Sequence, residues 1–160
     1  MRKQKGFSLI ELLIVVAVIL IIAAIAVPNL MRSRMAANEA SAVGSLRTIN
    51  TAQALYQQQN PTVGYAPDLA TLGSTAGGSL LDSTLGANSP TKSGYKFVFT
   101  GDGATPSATY VIGTAAVSSS TGTREFCTDQ TAQIRISSTT FTGTPVSSLT
   151  GCPNTLAAIQ

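Results

Sequence analysis

Glu11 is the sole charged side chain between Phe7 and Val27, a stretch of 21 residues in which positions 12–27 are all Leu, Ile, Val or Ala. An ionised carboxylate in apolar surroundings seeks a partner of opposite charge. Inside a membrane-length helix it costs about 2–3 kcal/mol or more and marks a functional position. The other residues with chemistry of their own are Cys127 and Cys152, the two cysteines of the chain. With no histidine in the sequence, no nucleophile–His arrangement can be built from its many serines, and two lone cysteines cannot complete a tetrahedral metal shell. Gly101-Asp102-Gly103 lacks the carboxylate spacing of a calcium loop and reads as a hairpin turn. No phosphate-cradling glycine motif opens a helix. The chain is therefore expected to be neither an enzyme nor a cofactor carrier.

These residues need elements to place them. Residues 7–27 make roughly 30 Å of helix, enough to cross a bilayer core. Arg2, Lys3 and Lys5 precede the apolar run and hold their side of it in the cytoplasm, so the rest of the chain lies across the membrane. Without those three, the ten basic residues fall to seven against seven acidic ones. That balance, with no long charged block, does not suggest nucleic acid or acidic partners. Three kinds of N-terminus fit so far. One is a secretory signal peptide, with Ala24-Ile25-Ala26 as its cleavage site and a secreted binding domain released after it. Another is a plain single-span anchor. The third is cut on the cytoplasmic side, between Gly6 and Phe7, and keeps its apolar helix.

The run Lys5-Gly6-Phe7-Ser8-Leu9-Ile10-Glu11-Leu12 resembles the N-terminus of the type IV prepilin superfamily, which includes the pseudopilins of type II secretion. The resemblance covers about the first 30 residues. It implies cleavage between Gly6 and Phe7 by a prepilin peptidase, N-methylation of Phe7, and Glu11 as the filament carboxylate. It further implies an assembly ATPase and a membrane platform as partners. The implied localisation is a bacterial inner-membrane precursor that ends in an extracellular pilus or a periplasm-spanning pseudopilus.

A role for Glu11 follows from physics alone. After cleavage Phe7 carries an ammonium, four residues and about 6 Å along the axis from Glu11. An identical helix shifted by that amount sets its ammonium against Glu11. Repetition of this head-to-tail step builds a helical filament rather than a closed ring. The alternative is a carboxylate that merely rests at headgroup level.

Pro28 lacks an N–H and crowds the carbonyl of Ala24, which predicts a kink or local opening of the helix. In the prepilin resemblance this is a region that can unwind in the filament, which makes Pro28 an assembly position with Phe7 and Glu11. Arg32 and Arg34 follow as interfacial charges. Beyond them, Met35, Ala42, Val43, Leu46, Ile49, Ala52, Leu55 and Tyr56 step by three and four and mark one apolar face. Asn38, Glu39, Ser45, Arg47, Asn50, Gln57 and Gln58 are assigned to the polar side. Asn60-Pro61 ends the helix.

Residues 61–93 read as a long connecting loop with a short helical turn near 67–72. Residues 95–100 alternate as a strand, 109–113 are its antiparallel partner, and 123–127 and 132–137 are weaker strands. Ile134 and Ile136 are expected to face the helix, with Arg135 pointing out. The extracytoplasmic side predicts a Cys127–Cys152 disulfide, and pilins recurrently carry a surface-exposed C-terminal disulfide loop. The expected fold is α+β and pilin-like: a long N-terminal helix, its first half membrane-spanning, packed against a three- or four-stranded antiparallel sheet. The expected divisions are a leader over 1–6, a long helix over 7–60 and a globular head over 61–160. The helix itself divides into a transmembrane and assembly half over 7–28 and an amphipathic half over 29–60.

Overall fold

Helix α1 spans Leu9–Gln59 in the computed structural model, which describes residues 7–147, 152, 158 and 159. The chain divides into two units, one ending at Arg34 and one beginning at Met35. In the first unit every described residue is exposed except the half-buried Ala23. An 18-residue window of α1 has a mean hydropathy of 3.3 and none of it is buried. A helix that is apolar all round while satisfying its own backbone suits a hydrocarbon environment. The helix continues through Pro28. Around it, Asn29 Nδ2 donates to Ile25 O at 3.1 Å and Ser33 Oγ donates to Asn29 O at 3.0 Å. Side-chain donors thus add to the backbone ladder on the turns where Pro28 supplies none.

In the second unit α1 lies on an antiparallel sheet. Its strands are β1 (Thr91–Lys92), β2 (Tyr95–Gly101), β3 (Tyr110–Ala116), β4 (Glu125–Asp129), β5 (Ile134–Ser138) and β6 (Ala158–Ile159). They are ordered as in the chain, and each pairs antiparallel with the next. The sequence led to three or four strands because β1 and β6 have two residues each, too short for alternation to register. Ala42, Leu46, Ile49, Ala52 and Tyr56 of α1 bury against Tyr95, Phe97, Tyr110, Ile112 and Phe126 of the sheet. A short helix α2 (Leu69–Gly73) adds Leu69 and Leu72 to this core. Asp68 starts α2 by accepting the Thr71 N–H at 2.6 Å.

β3 and β4 are buried along their whole length, so both faces of the sheet are covered there. Tyr110, Ile112 and Ala116 turn to the helix. On the other face a Cβ at Gly113 would run into the backbone of Val146, which makes glycine the residue that lets the C-terminal segment lie flat on β3.

Two assignments on α1 change. Leu55 is 41% exposed instead of sharing the apolar face. At about 100° per residue it lies roughly 140° from Ala42, outside the buried stripe. Glu39, Ser45 and Asn50 are buried rather than solvated, and Gln53, assigned to neither side, is 0% exposed. These polar residues fall within about 80° of Ala42 and are buried because each has a partner. Asn50 Nδ2 donates to Thr128 Oγ1 at 2.9 Å, and Tyr110 Oη donates to Asn50 Oδ1 at 3.2 Å. Gln53 Oε1 accepts the Ala66 N–H at 2.9 Å, while its Nε2 donates to Ala66 O at 3.3 Å. The helix therefore fixes the long loop and the sheet by hydrogen bonds as well as by apolar packing.

Candidate assembly and processing site

The first backbone rung of α1 is Leu12 N–H to Ser8 O at 3.3 Å. Ser8 is thus the capping residue and Glu11 the third residue of the helix. The Ser8 N–H donates to Glu11 Oε2 at 2.8 Å. This is the carboxylate half of a capping box, at the helix end where the macrodipole favours negative charge. Its sequence signature is Ser8-x-x-Glu11 ahead of an apolar run. Phe7 is 86% exposed and lies four residues before Glu11. Gly6, the other side of the expected cleavage point, lies outside the described residues, as do 1–5.

Two further features hold the head together. Glu39 is 6% exposed. Its Oε2 binds Arg124 Nε at 2.7 Å and Nη2 at 2.6 Å, and its Oε1 accepts the N–H groups of Thr123 and Arg124 at 3.1 and 3.2 Å. Burial pushes this carboxyl up, but the hydrogen bonds from Thr123 and the Arg124 guanidinium outweigh it, and the group titrates below its ordinary 4.5.

The second feature is on β4, where Glu125, Cys127 and Asp129 alternate onto the face away from the helix. Cys127 and Cys152 form a disulfide with Cα atoms 5.7 Å apart. Glu125 Oε1 accepts from Thr142 N, Thr142 Oγ1 and Gly143 N at 2.8, 2.7 and 3.0 Å. Arg135 does turn away from the helix, but into this covered face and not into water. It donates to Cys152 O at 3.3 Å and lies 3.9 Å from Asp129 Oδ2.

Asp102 serves its own turn. Its carboxylate accepts from Ala104 N, Ala108 N, Thr109 N and Thr109 Oγ1. Hydrogen bonding from Ser107 foremost, then from Ala108, holds its pKa well below the carboxylate range. Among the described residues no three His, Cys, Asp or Glu side chains gather as metal ligands. An open cleft of about 310 Å³ between Ala36, Ala40, Val43 and Phe126 is rimmed by Arg47 and Arg124 and holds no nucleophile–base pair.

Phe7 and Glu11 thus lie at the head of an exposed apolar helix. Residues 1–27 match the family model described as the prokaryotic N-terminal methylation motif. Over 60 residues the chain is 47% identical to the type IV wide pilus major component PilA4 of Thermus thermophilus, covering 38% of this chain and 46% of that protein. Over 92 residues it is 39% identical to fimbrial protein Q of Moraxella bovis, covering 52% and 59%. Over this N-terminal part the chain is similar to type IV pilins. It is also 34% identical over 59 residues to the type II secretion system core protein G of Aeromonas hydrophila, covering 37% and 41%. The matched stretches span about half the length of these relatives. The fold agrees with the superfamily in its long apolar N-terminal helix and its antiparallel sheet on the helix's later turns.

Proposed function

We propose that this chain is a type IV pilin, a structural subunit of a type IV pilus filament. Its leader, residues 1–6, is removed between Gly6 and Phe7 by a prepilin peptidase that also N-methylates Phe7. Residues 7–28 hold the subunit in the inner membrane and then polymerise. Residues 29–60 carry the head, residues 61–160. Glu11 accepts the Phe7 ammonium of a neighbouring copy, and Pro28 is the point at which the helix yields during assembly. Copies of the chain, an assembly ATPase and a membrane platform are its partners. The finished filament is extracellular and serves adhesion, motility or uptake.

One observation carries this reading. The methylation motif leads directly into a helix whose apolar side chains are exposed on every side. Such a surface is stable only in lipid or among other helices. A second reading is a pseudopilin of a type II secretion system, favoured by the likeness to core protein G.

Imaging of sheared surface filaments, with mass analysis of their main component, tests the choice. Long filaments built mainly of this chain are expected. Surface filaments that lack it, in cells that produce the mature chain, would instead favour the periplasmic pseudopilus.

A further inference from the structure

We propose that Ser8 is a positioning residue whose backbone N–H holds Glu11 Oε2, so that Oε1 is presented to the α-ammonium of a neighbouring copy. The inference rests on the filament reading above and adds to it the group that aims the carboxylate. The 2.8 Å bond from Ser8 N to Glu11 Oε2 leaves the second oxygen without a hydrogen bond among the described residues. Glu11 is exposed, and so are Phe7, Leu9 and Ile10 beside it. Nothing described in this unit covers the open oxygen.

A glutamate has three rotatable side-chain bonds. A carboxylate tied at one oxygen has lost that freedom before its partner arrives, and preorganisation of this kind strengthens the contact by removing part of its ordering cost. The same tie gives the charge a hydrogen-bond donor while a lone subunit waits in the bilayer. The donor is a main-chain group. The Ser8 hydroxyl makes no hydrogen bond among the described residues, so the role belongs to an N–H at position 8 and not to the serine side chain.

Two measurements on the full mature chain test this. The first is amide hydrogen exchange of the unassembled subunit in detergent micelles, comparing the parent with Glu11→Ala and Ser8→Ala. The Ser8 amide is expected to exchange at least tenfold faster in Glu11→Ala, with the Leu13 amide unchanged as an internal control. The amide at position 8 of the Ser8→Ala chain is expected to keep the parent's protection. Equal exchange at position 8 in the parent and Glu11→Ala overturns the proposal.

The second is solid-state dipolar recoupling between ¹⁵N of residue 8 and ¹³Cδ of Glu11. Equally strong dephasing in micelle-held subunits and in filaments is expected. Dephasing that disappears on assembly means that the carboxylate turns away from Ser8 to meet its partner, and it overturns the proposal. The exchange result is read before any assembly. A parent chain that never polymerises would remove the neighbouring copy, and with it the filament reading, while leaving the Ser8–Glu11 result standing, so the two failures are told apart.

Discussion

Glu39 and Arg124, 85 residues apart in the chain, meet at 2.7 Å through Oε2 and Nε where helix α1 passes the start of β4. The same carboxylate takes the Thr123 and Arg124 N–H groups, so one side chain fixes both a guanidinium and the backbone leading into the strand. Glu39→Ala removes all of these contacts and leaves the part-buried donors of Thr123 and Arg124 without their carboxylate. The expected loss is about 2 kcal/mol, with the exposed side of Arg124 limiting it. Thermal unfolding of the full chain in detergent measures this. A melting temperature equal to the parent's would show that the contact adds nothing.

The same residue sets an acid dependence. Its folded pKa is lowered from 4.5, so its contribution is fully present above that unfolded value. It is lost as pH falls through the lower folded value. Melting temperatures taken downward from pH 6 are expected to fall below about pH 4.5, and less steeply in Glu39→Gln. Parallel curves for parent and variant would assign the acid loss to other groups.

Gln53 and Leu55 give opposite results to those their residue types suggest. Gln53→Ala leaves the Ala66 N–H and C=O without their partner and is expected to cost about 1–3 kcal/mol. Leu55→Ser removes an exposed side chain and is expected to stay within about 0.5 kcal/mol of the parent. Chemical denaturation of both variants checks the pair, and a larger loss at Leu55 would contradict the helix orientation described above.

Thr114 lies in the core, 0% exposed, and its Oγ1 has no hydrogen-bond partner among the described residues. Valine has nearly the same shape without the hydroxyl. Thr114→Val is therefore expected to stabilise the head by about 1 kcal/mol, seen as a higher melting temperature. A lower one would mean that the hydroxyl is satisfied in solution.

Cys127→Ser tests how the C-terminal segment is held. Closing a loop of this size is worth about 3 kcal/mol, but Glu125 still grips Thr142 and Gly143 in the reduced chain. Limited proteolysis is expected to cut the variant between 144 and 152 and to leave the segment before 142 intact. Unchanged resistance throughout would show that the bridge is dispensable.

These residues also mark what could be read from the sequence. The membrane-length helix was legible because residues 12–27 admit no other grouping, and the disulfide pair because the chain has two cysteines. Strand β2 was legible because Tyr95 and Phe97 alternate with Lys96. The buried polar row was missed because Glu39, Asn50 and Gln53 look solvent-loving by type. Their partners at Arg124, Thr128 and Ala66 come from distant parts of the chain. In the candidate site, Glu11 stood out as a lone charge, while its tie to Ser8 was overlooked although the spacing of a capping box was there to be read. The two-residue strands and the reach of Glu125 to Thr142 depend on tertiary packing, which local periodicity does not encode.

The central claim is that the apolar helix is retained and carries a new N-terminus at Phe7. Intact-mass and N-terminal analysis of the mature chain tests it most directly. N-methyl-phenylalanine from position 7, with Glu11 and the whole apolar run still attached, is the result expected. A chain that begins at Val27 and stays in solution as a monomer would contradict it.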